Sequence, residues 1–269
     1  MDSVSERPLR EIALKTGTDK QGVHFYAEAY ERHFAPYRDH PIDVLEIGIG
    51  GYADPNLGGE SLRMWKAFFP RARIVGLDIH DKVGIDEDRI RTVRGDQSDP
   101  ALLADVVRRF GPFTIVIDDG SHVCRDVITS FVNLFPTLAE DGIYAIEDLQ
   151  TSYWAKGYGG SSTADRAMTS MTFLQSLADG LNYAEFDIPN YEPTVFDRTI
   201  TSLAFYHNLA FVQKGTNLGP SNVMAPHPRP RALYAISAAP ARPVGAARRL
   251  ARRAVPRSVR SAVVRLVRR

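Results

Sequence analysis

Strand-like runs and helical stretches alternate along most of this chain, and that alternation limits it to a sheet covered by helices on both faces. The strand-like runs are residues 42–47, 73–78, 90–94, 113–118 and 143–147. Helical stretches fall at residues 60–69, 100–110 and 122–138; Pro70 stops the first, and Pro100 fits the first turn of the second. The run Phe113-Thr114-Ile115-Val116-Ile117-Asp118 is nearly continuous in apolar residues, as suits a strand buried on both faces of a parallel sheet. A loop rich in Tyr, Trp and Gly follows at residues 149–163, then a helical stretch at about 165–181. Residues 200–206 and 209–214 alternate as two further strands, joined by His207-Asn208, where Asn tolerates positive φ. The expected fold is α/β: a doubly wound, Rossmann-like sheet ending in an antiparallel strand pair.

Charge divides the chain. Its 269 residues sum to +1, yet 12 of the 33 basic residues, all Arg, lie after Pro220, where no acid occurs. The other 21 basic residues share the first 220 positions with all 32 acids, a net of −11. Three regions are expected: residues 1–40 as an N-terminal helical lid, 41–219 as the catalytic domain, and 220–269 as a Pro/Arg-rich basic tail. In the first, Thr18-Asp19-Lys20 suits a helix start, with Phe25, Tyr26 and Tyr30 at helical spacing. In the tail, residues 244–255 and those after Ser258 read as basic amphipathic helices, a pattern fitting an anionic membrane surface. A solvated tail without structure fits the same composition. Nucleic acid is disfavoured, since no aromatic residue follows Tyr234 to stack a base. One cysteine, Cys124, excludes a disulfide framework. No apolar run approaches the ~20 residues of a membrane span, and residues 1–10 lack a signal-type apolar stretch. The expected location is cytoplasmic, peripheral to the inner face of the membrane if the tail binds it.

In open parallel sheets, ligands bind beyond the carboxyl ends of the strands. Here those ends carry Glu46 with Gly48-Ile49-Gly50-Gly51, then Asp78, then Asp96, then Asp118-Asp119-Gly120-Ser121-His122, then Glu147-Asp148. Any one acid reads as a helix cap or turn residue; acids at five consecutive strand ends are harder to explain that way. Asp78 offers two acceptor oxygens to a ribose diol. Asp96, Gln97 and Ser98 suit the polar edge of an adenine, and Gly48 and Gly50 permit close approach of a ligand to the backbone. Their spacing is not that of a dinucleotide-binding turn, and no phosphate-binding Gly-Lys loop occurs. A nucleoside without a phosphate tail, S-adenosylmethionine, fits, with Glu46 beside its ammonium and Asp118 among the further cofactor candidates. Asp119, Glu147 and Asp148 would repel one another without a shared cation, which points to Mg²⁺ or Mn²⁺. His122, three residues after Asp119, is of the residue type that serves as a general base near neutral pH; alone at a helix start it would read as a cap or surface residue.

Together with Gly17-Thr18-Asp19-Lys20, His24 and Tyr26, Gly59-Glu60-Ser61-Leu62-Arg63-Met64-Trp65 and Gly76-Leu77-Asp78-Ile79, these motifs make the chain resemble the class I S-adenosylmethionine-dependent methyltransferases. Within that class it is most similar to the metal-dependent sugar O-methyltransferases of macrolide biosynthesis. The resemblance implies a seven-stranded sheet, Mg²⁺ at Asp119, Glu147 and Asp148, and His122 as catalytic base. Those enzymes carry an additional N-terminal domain without a counterpart here, so their acceptor and quaternary arrangement do not transfer directly, and a homo-oligomer stays open. The expected acceptor is a sugar hydroxyl of a glycoside or glycan. His24, Tyr26, Tyr153, Trp154 and Tyr158 are candidate acceptor contacts, the last three on a loop that reads equally as ordinary surface. A lipid-linked glycan or a non-sugar hydroxyl is the alternative acceptor; an NAD-type oxidoreductase or a non-catalytic binding protein accounts for fewer of these residues.

Overall fold

Strand parity builds the two layers. In the computed structural model, which describes residues 7–161 and 168–219, Val44, Ile74, Ile115 and Ile143 stand side by side in register and pack into one apolar layer. Their neighbours Leu45, Val75, Val116 and Tyr144 also align and pack into the opposite layer. Successive side chains of a strand point to opposite faces. A sheet buried on both sides therefore demands the unbroken apolar runs seen in the sequence.

The strands are β1 (Asp43–Ile47), β2 (Arg73–Asp78), β3 (Ile90–Arg94), β4 (Ile115–Asp118), β5 (Ile143–Ile146), β6 (Ile200–Tyr206) and β7 (Leu209–Lys214). They form one seven-stranded sheet in the order β3-β2-β1-β4-β5-β7-β6. The first five are parallel, and β7 runs antiparallel to both β5 and β6. Helices α1 (Leu9–Thr16), α2 (Ala27–Phe34) and α3 (Glu60–Phe68) cover the face carrying Val44. Helices α4 (Pro100–Phe110), α5 (Cys124–Leu134), α7 (Ser170–Gly180) and α8 (Val195–Thr199) contribute to the other. A short kinked turn, α6 (Ala155–Tyr158), lies in the loop after β5. From β1 the chain moves one way to β2 and β3, then returns to place β4 and β5 on the other side. The crevice beyond the carboxyl ends of β1 and β4 is thus the topological switch point.

Several local expectations need correcting. Thr18-Asp19-Lys20 does not start a helix: α1 ends at Thr16, Gly17 turns the chain at φ 78°, and α2 begins only at Ala27. Helix α5 starts at Cys124 rather than His122, because His122 sits at φ 56° and Val123 is extended. It ends at Leu134, where Pro136 enters a 3₁₀ turn. Helix α8, not anticipated, is set by a reciprocal cap between Thr194 and Asp197. Asn208 does take positive φ in the β6–β7 turn. The N-terminal segment is a wall of the core rather than a separate lid: Leu9, Ala27, Tyr30 and Phe34 are fully buried, with Tyr30 and Phe34 against Trp65 and Phe211. Met64 and Trp65 are core residues, as expected. The amphipathic helices expected in the basic tail lie outside the described residues. Among the described residues, no helix is long and apolar enough to cross a membrane.

Candidate active site

Each carboxylate's destination follows from its parity. Glu46 shares its face with Val44, and Glu147 continues the face of Ile143 and Ala145; both point into the layer that holds α1, α2 and α3. There they meet Lys20. Its ammonium donates to Asp119 Oδ2 at 2.7 Å and to Glu147 Oε1 at 2.6 Å, and lies 3.3 Å from Glu46 Oε1. Lys20 is fully buried. Tyr30 donates to the same Glu147 oxygen at 2.5 Å, and Ser61 donates to Glu46 Oε2 at 2.7 Å. Burial, reinforced by Asp119, pushes the Glu147 carboxyl well above its usual range, against the pull of Lys20. Burial also raises Glu46, with Lys20 opposing. Burial on its own would lower Lys20, but Asp119, Glu147 and Glu46 together outweigh it and hold the ammonium well above its ordinary value. An isolated charge here would be severely penalised; the cluster persists because opposite charges share it.

Asp118 shares its face with Val116 and points the other way. Its carboxylate accepts from Ser130, from Tyr144 at 3.3 Å and from Gln97 Nε2 at 3.0 Å. Burial pushes its carboxyl up, against the Ser130 and Gln97 hydrogen bonds. Asp118 therefore does not reach the cavity, contrary to its expected place among the cofactor contacts. Gln97 is also committed: beyond Asp118, its Oε1 accepts from the Ser121 amide at 2.6 Å. It braces the turn that carries His122. An amide with both ends occupied in this way is poorly placed to read an adenine edge as expected.

The cavity is about 650 Å³ and opens at the switch point. Its lining includes Gly48, Gly50, Asp78, Asp96 and Gln97 on one side and Asp119, His122 and Asp148 on the other. Asp78 Oδ2 accepts from the Ile49 amide at 3.1 Å and Oδ1 from the His80 amide at 2.8 Å. Each oxygen keeps further acceptor capacity for a ligand. Asp96 caps Ser98, whose amide donates to it at 2.7 Å, and this bond lowers the Asp96 carboxyl below its usual range. Ser98, Glu46 and Glu147 do not line the cavity. Asp119, His122 and Asp148 bring ligand atoms within 4.8 Å of one another. His122 Nε2 stands 3.6 Å from Asp148 Oδ2 and 3.9 Å from Asp119 Oδ1. The left-handed backbone of His122 is an outlier of the kind that concentrates at functional sites.

Tyr26 donates to Asp148 Oδ1 at 2.9 Å and stacks on His24, whose Nδ1 lies 3.8 Å from the same oxygen. Both expected acceptor contacts from the N-terminal segment thus sit against Asp148. Tyr153 and Trp154 are half-exposed, and Trp154 packs edge-on to Tyr158, but none of the three lines the cavity. Lys20, Ser61, Ser130 and Tyr144 support these acids without any local signal in the sequence. Lys20 stands in the Gly17-Thr18-Asp19-Lys20 motif, yet nothing local distinguishes it from a solvated surface lysine.

The donor set fits the groups that the residues suggested. Hard oxygen ligands at Asp119 and Asp148 suit Mg²⁺ or Mn²⁺. A cavity of this volume, with bare glycine backbone and two acids able to accept further hydrogen bonds, suits a nucleoside-sized ligand. No protein-family profile matches the chain. It is 51% identical over 212 residues to the 8-demethyl-8-alpha-L-rhamnosyl tetracenomycin-C 2'-O-methyltransferase of Streptomyces olivaceus, a match covering 78% of this chain and 56% of that protein. It is 49% identical over 217 residues to the mycinamicin VI 2''-O-methyltransferase of Micromonospora griseorubida, covering 79% and 54% respectively. The solved structure of the MycE methyltransferase with Mg, SAH and mycinamycin VI superposes with a TM-score of 0.79 at 45% identity, covering 87% of this chain and 60% of that one. The chain therefore spans little more than half the length of the curated relatives it matches.

Gly48 fixes the spacing between the two sides of the cavity. It lies at φ 79°, and a Cβ added there would sit 2.1 Å from the Asp119 carbonyl oxygen. Gly48→Ala is expected to destabilise the fold by at least about 1–3 kcal/mol from backbone strain alone, measured by urea unfolding. Wild-type stability in this variant would show that the close approach is dispensable.

Proposed function

Because the chain is a homologue of the sugar O-methyltransferases of macrolide and tetracenomycin type, with their seven-stranded sheet, we propose that it methylates a sugar hydroxyl of a glycosylated small molecule. The observation that carries this reading is the convergence of Asp119, His122 and Asp148 on one side of a cavity whose other side offers Asp78, Asp96 and a glycine-rich turn. S-adenosylmethionine would supply an electrophilic methyl group on a cationic sulfur, and a divalent ion would supply Lewis-acid polarisation of the accepting hydroxyl.

The residues divide the remaining work. Asp78 takes the ribose hydroxyls, while the glycines at Gly48 and Gly50 let the nucleoside lie against backbone. Asp119 and Asp148 hold the ion, with Glu147 behind them against Lys20. His122 accepts the hydroxyl proton at Nε2 as the oxygen bonds to the methyl carbon and the sulfur–methyl bond breaks. Tyr26 fixes the rotamer of Asp148 by its hydrogen bond. Holding both reactants in one cavity supplies the orientation on which such a displacement depends. A vicinal pair of sugar hydroxyls is the acceptor that best fills two positions beside Asp119 and Asp148. The basic tail is proposed to hold the enzyme at an anionic membrane surface.

His122→Ala should lower kcat by about 10²–10⁴, the range for loss of a general base, with S-adenosylmethionine affinity near wild type by calorimetry. A variant keeping more than about a tenth of wild-type kcat would remove His122 from the base role. Methyl transfer to a glycoside, followed by mass spectrometry, should stop in EDTA and return with excess Mg²⁺; undiminished activity in EDTA would exclude the metal. Full-length protein should co-sediment with anionic vesicles while a version ending at Gly219 stays in the supernatant, and equal binding by both would end the membrane proposal.

A further inference from the structure

Among the described residues, Tyr52 is the most exposed large hydrophobic side chain, at 88%, yet it lines the cavity. A lone exposed aromatic is ordinary on a protein surface. The backbone of this one is not ordinary: it lies at φ 47°, a conformation that a residue with a Cβ keeps only where its surroundings impose it. Here a closed loop imposes it. Residues 51–59, between β1 and α3, return to their own start: the Gly59 amide donates to the Ile49 carbonyl at 2.7 Å, and the Asp54 amide to the Gly51 carbonyl at 3.2 Å. A Cβ at Gly51 would sit 2.0 Å from the Leu57 carbonyl oxygen, and one at Gly58 2.4 Å from the Ile49 carbonyl oxygen, so the two limbs touch backbone to backbone. Lys82 pins this loop. It is 2% exposed, and its ammonium donates to the Asp54 carbonyl at 2.8 Å and to the Leu57 carbonyl at 2.9 Å. Burying an ammonium is costly, and lysine is rarely placed so; here it fixes two loop carbonyls at once. Beside it, Gly84 leaves room for the loop, since a Cβ there would sit 2.4 Å from Asn56 Oδ1.

We propose that Tyr52 is a contact for S-adenosylmethionine, its ring closing the open side of the nucleoside subsite, and that Lys82 is the positioning residue that holds it there. The placement favours the cofactor over the acceptor. Tyr52 follows Gly50 closely in the chain, and Lys82 ties its loop to the segment that begins at Asp78; Gly50 and Asp78 both stand on the nucleoside side of the cavity, with Asp119, His122 and Asp148 on the other. Asp78 can take the edge of the ribose, and the glycine backbone can lie against one face of the nucleoside. The ring supplies a second face, which neither of them provides. A ring whose backbone is already fixed also loses little conformational freedom when the ligand arrives.

The inference rests on the reading of the cavity as a methyl-donor site, and the test separates the two. S-adenosylhomocysteine is titrated into full-length protein by calorimetry, which needs neither turnover nor acceptor. No binding by wild type would overturn the reading of the cavity and the role of Tyr52 with it. With wild type binding, Tyr52→Ala should weaken the complex at least about fivefold, the lower end for loss of an aromatic contact to a base, while Tyr52→Phe, which keeps the ring, should bind like wild type. Wild-type affinity in Tyr52→Ala overturns the contact, and so does an unchanged affinity accompanied by a raised KM for the acceptor, which would move the ring to the acceptor side. Lys82→Met keeps the bulk of the side chain without its donors. It should weaken S-adenosylhomocysteine as Tyr52→Ala does, and the double variant should be little weaker than either, because residues acting through one contact are not additive. Additive losses overturn the positioning role of Lys82. If Lys82→Met does not fold, Lys82→Gln, which keeps a donor, takes its place in the cycle; failure of both to fold would make Lys82 a residue of the fold alone and overturn that role.

Discussion

The ion cluster around Lys20 is the contact on which the rest of the site depends. It joins four parts of the chain that share no local sequence: the loop after α1 and the ends of β1, β4 and β5. Breaking a buried pair by removing one partner typically costs about 3–5 kcal/mol, because the remaining charge has nowhere to go. The N-terminal segment is therefore bound to the sheet by charge as well as by the aromatic packing of Tyr30 and Phe34 on Trp65 and Phe211. Asp119 has one oxygen toward this cluster and one toward His122. The internal ion pair and the cavity are thus linked through a single carboxylate.

On the opposite layer a hydrogen-bonded network around Asp118 does the corresponding work. Gln97 joins Asp118 and Ser130 to the Ser121 amide, and Gly120 leaves room for it, since a Cβ there would sit 2.0 Å from Gln97 Oε1. This holds the turn in which His122 takes its left-handed backbone. The carboxylates at the strand ends accordingly fall into two kinds. Glu46, Asp118 and Glu147 are consumed in supporting the rim, while Asp78, Asp96, Asp119 and Asp148 present it to the cavity.

The excess acid of the first 220 residues has a local explanation in these clusters, and part of it is compensated inside the fold by a lysine rather than by the Arg-rich tail. The +1 net charge of the whole chain is the sum of two unrelated requirements. One concerns acids gathered at the strand ends; the other concerns a segment outside the described residues.

The sheet was legible because strand parity and turn residues are local properties. The bounds of β2, β3, β6 and β7 follow directly from the apolar pattern. So does the gathering of acids at one edge, since parallel strands place all their carboxyl ends together. Even the inward aim of Glu46 and Asp118 was implicit in the alternation of their strands. What the sequence by itself determined, then, was the fold, the rim and the identity of the acids on it. Only the tertiary structure decided which acids face the cavity and which meet protein. The partners that settle it, Lys20 for Glu147 and Gln97 for Asp118, arrive from 127 and 21 residues away. No local pattern specifies such a meeting, because it is fixed by how helices and loops pack across the sheet rather than by the preferences of neighbouring residues.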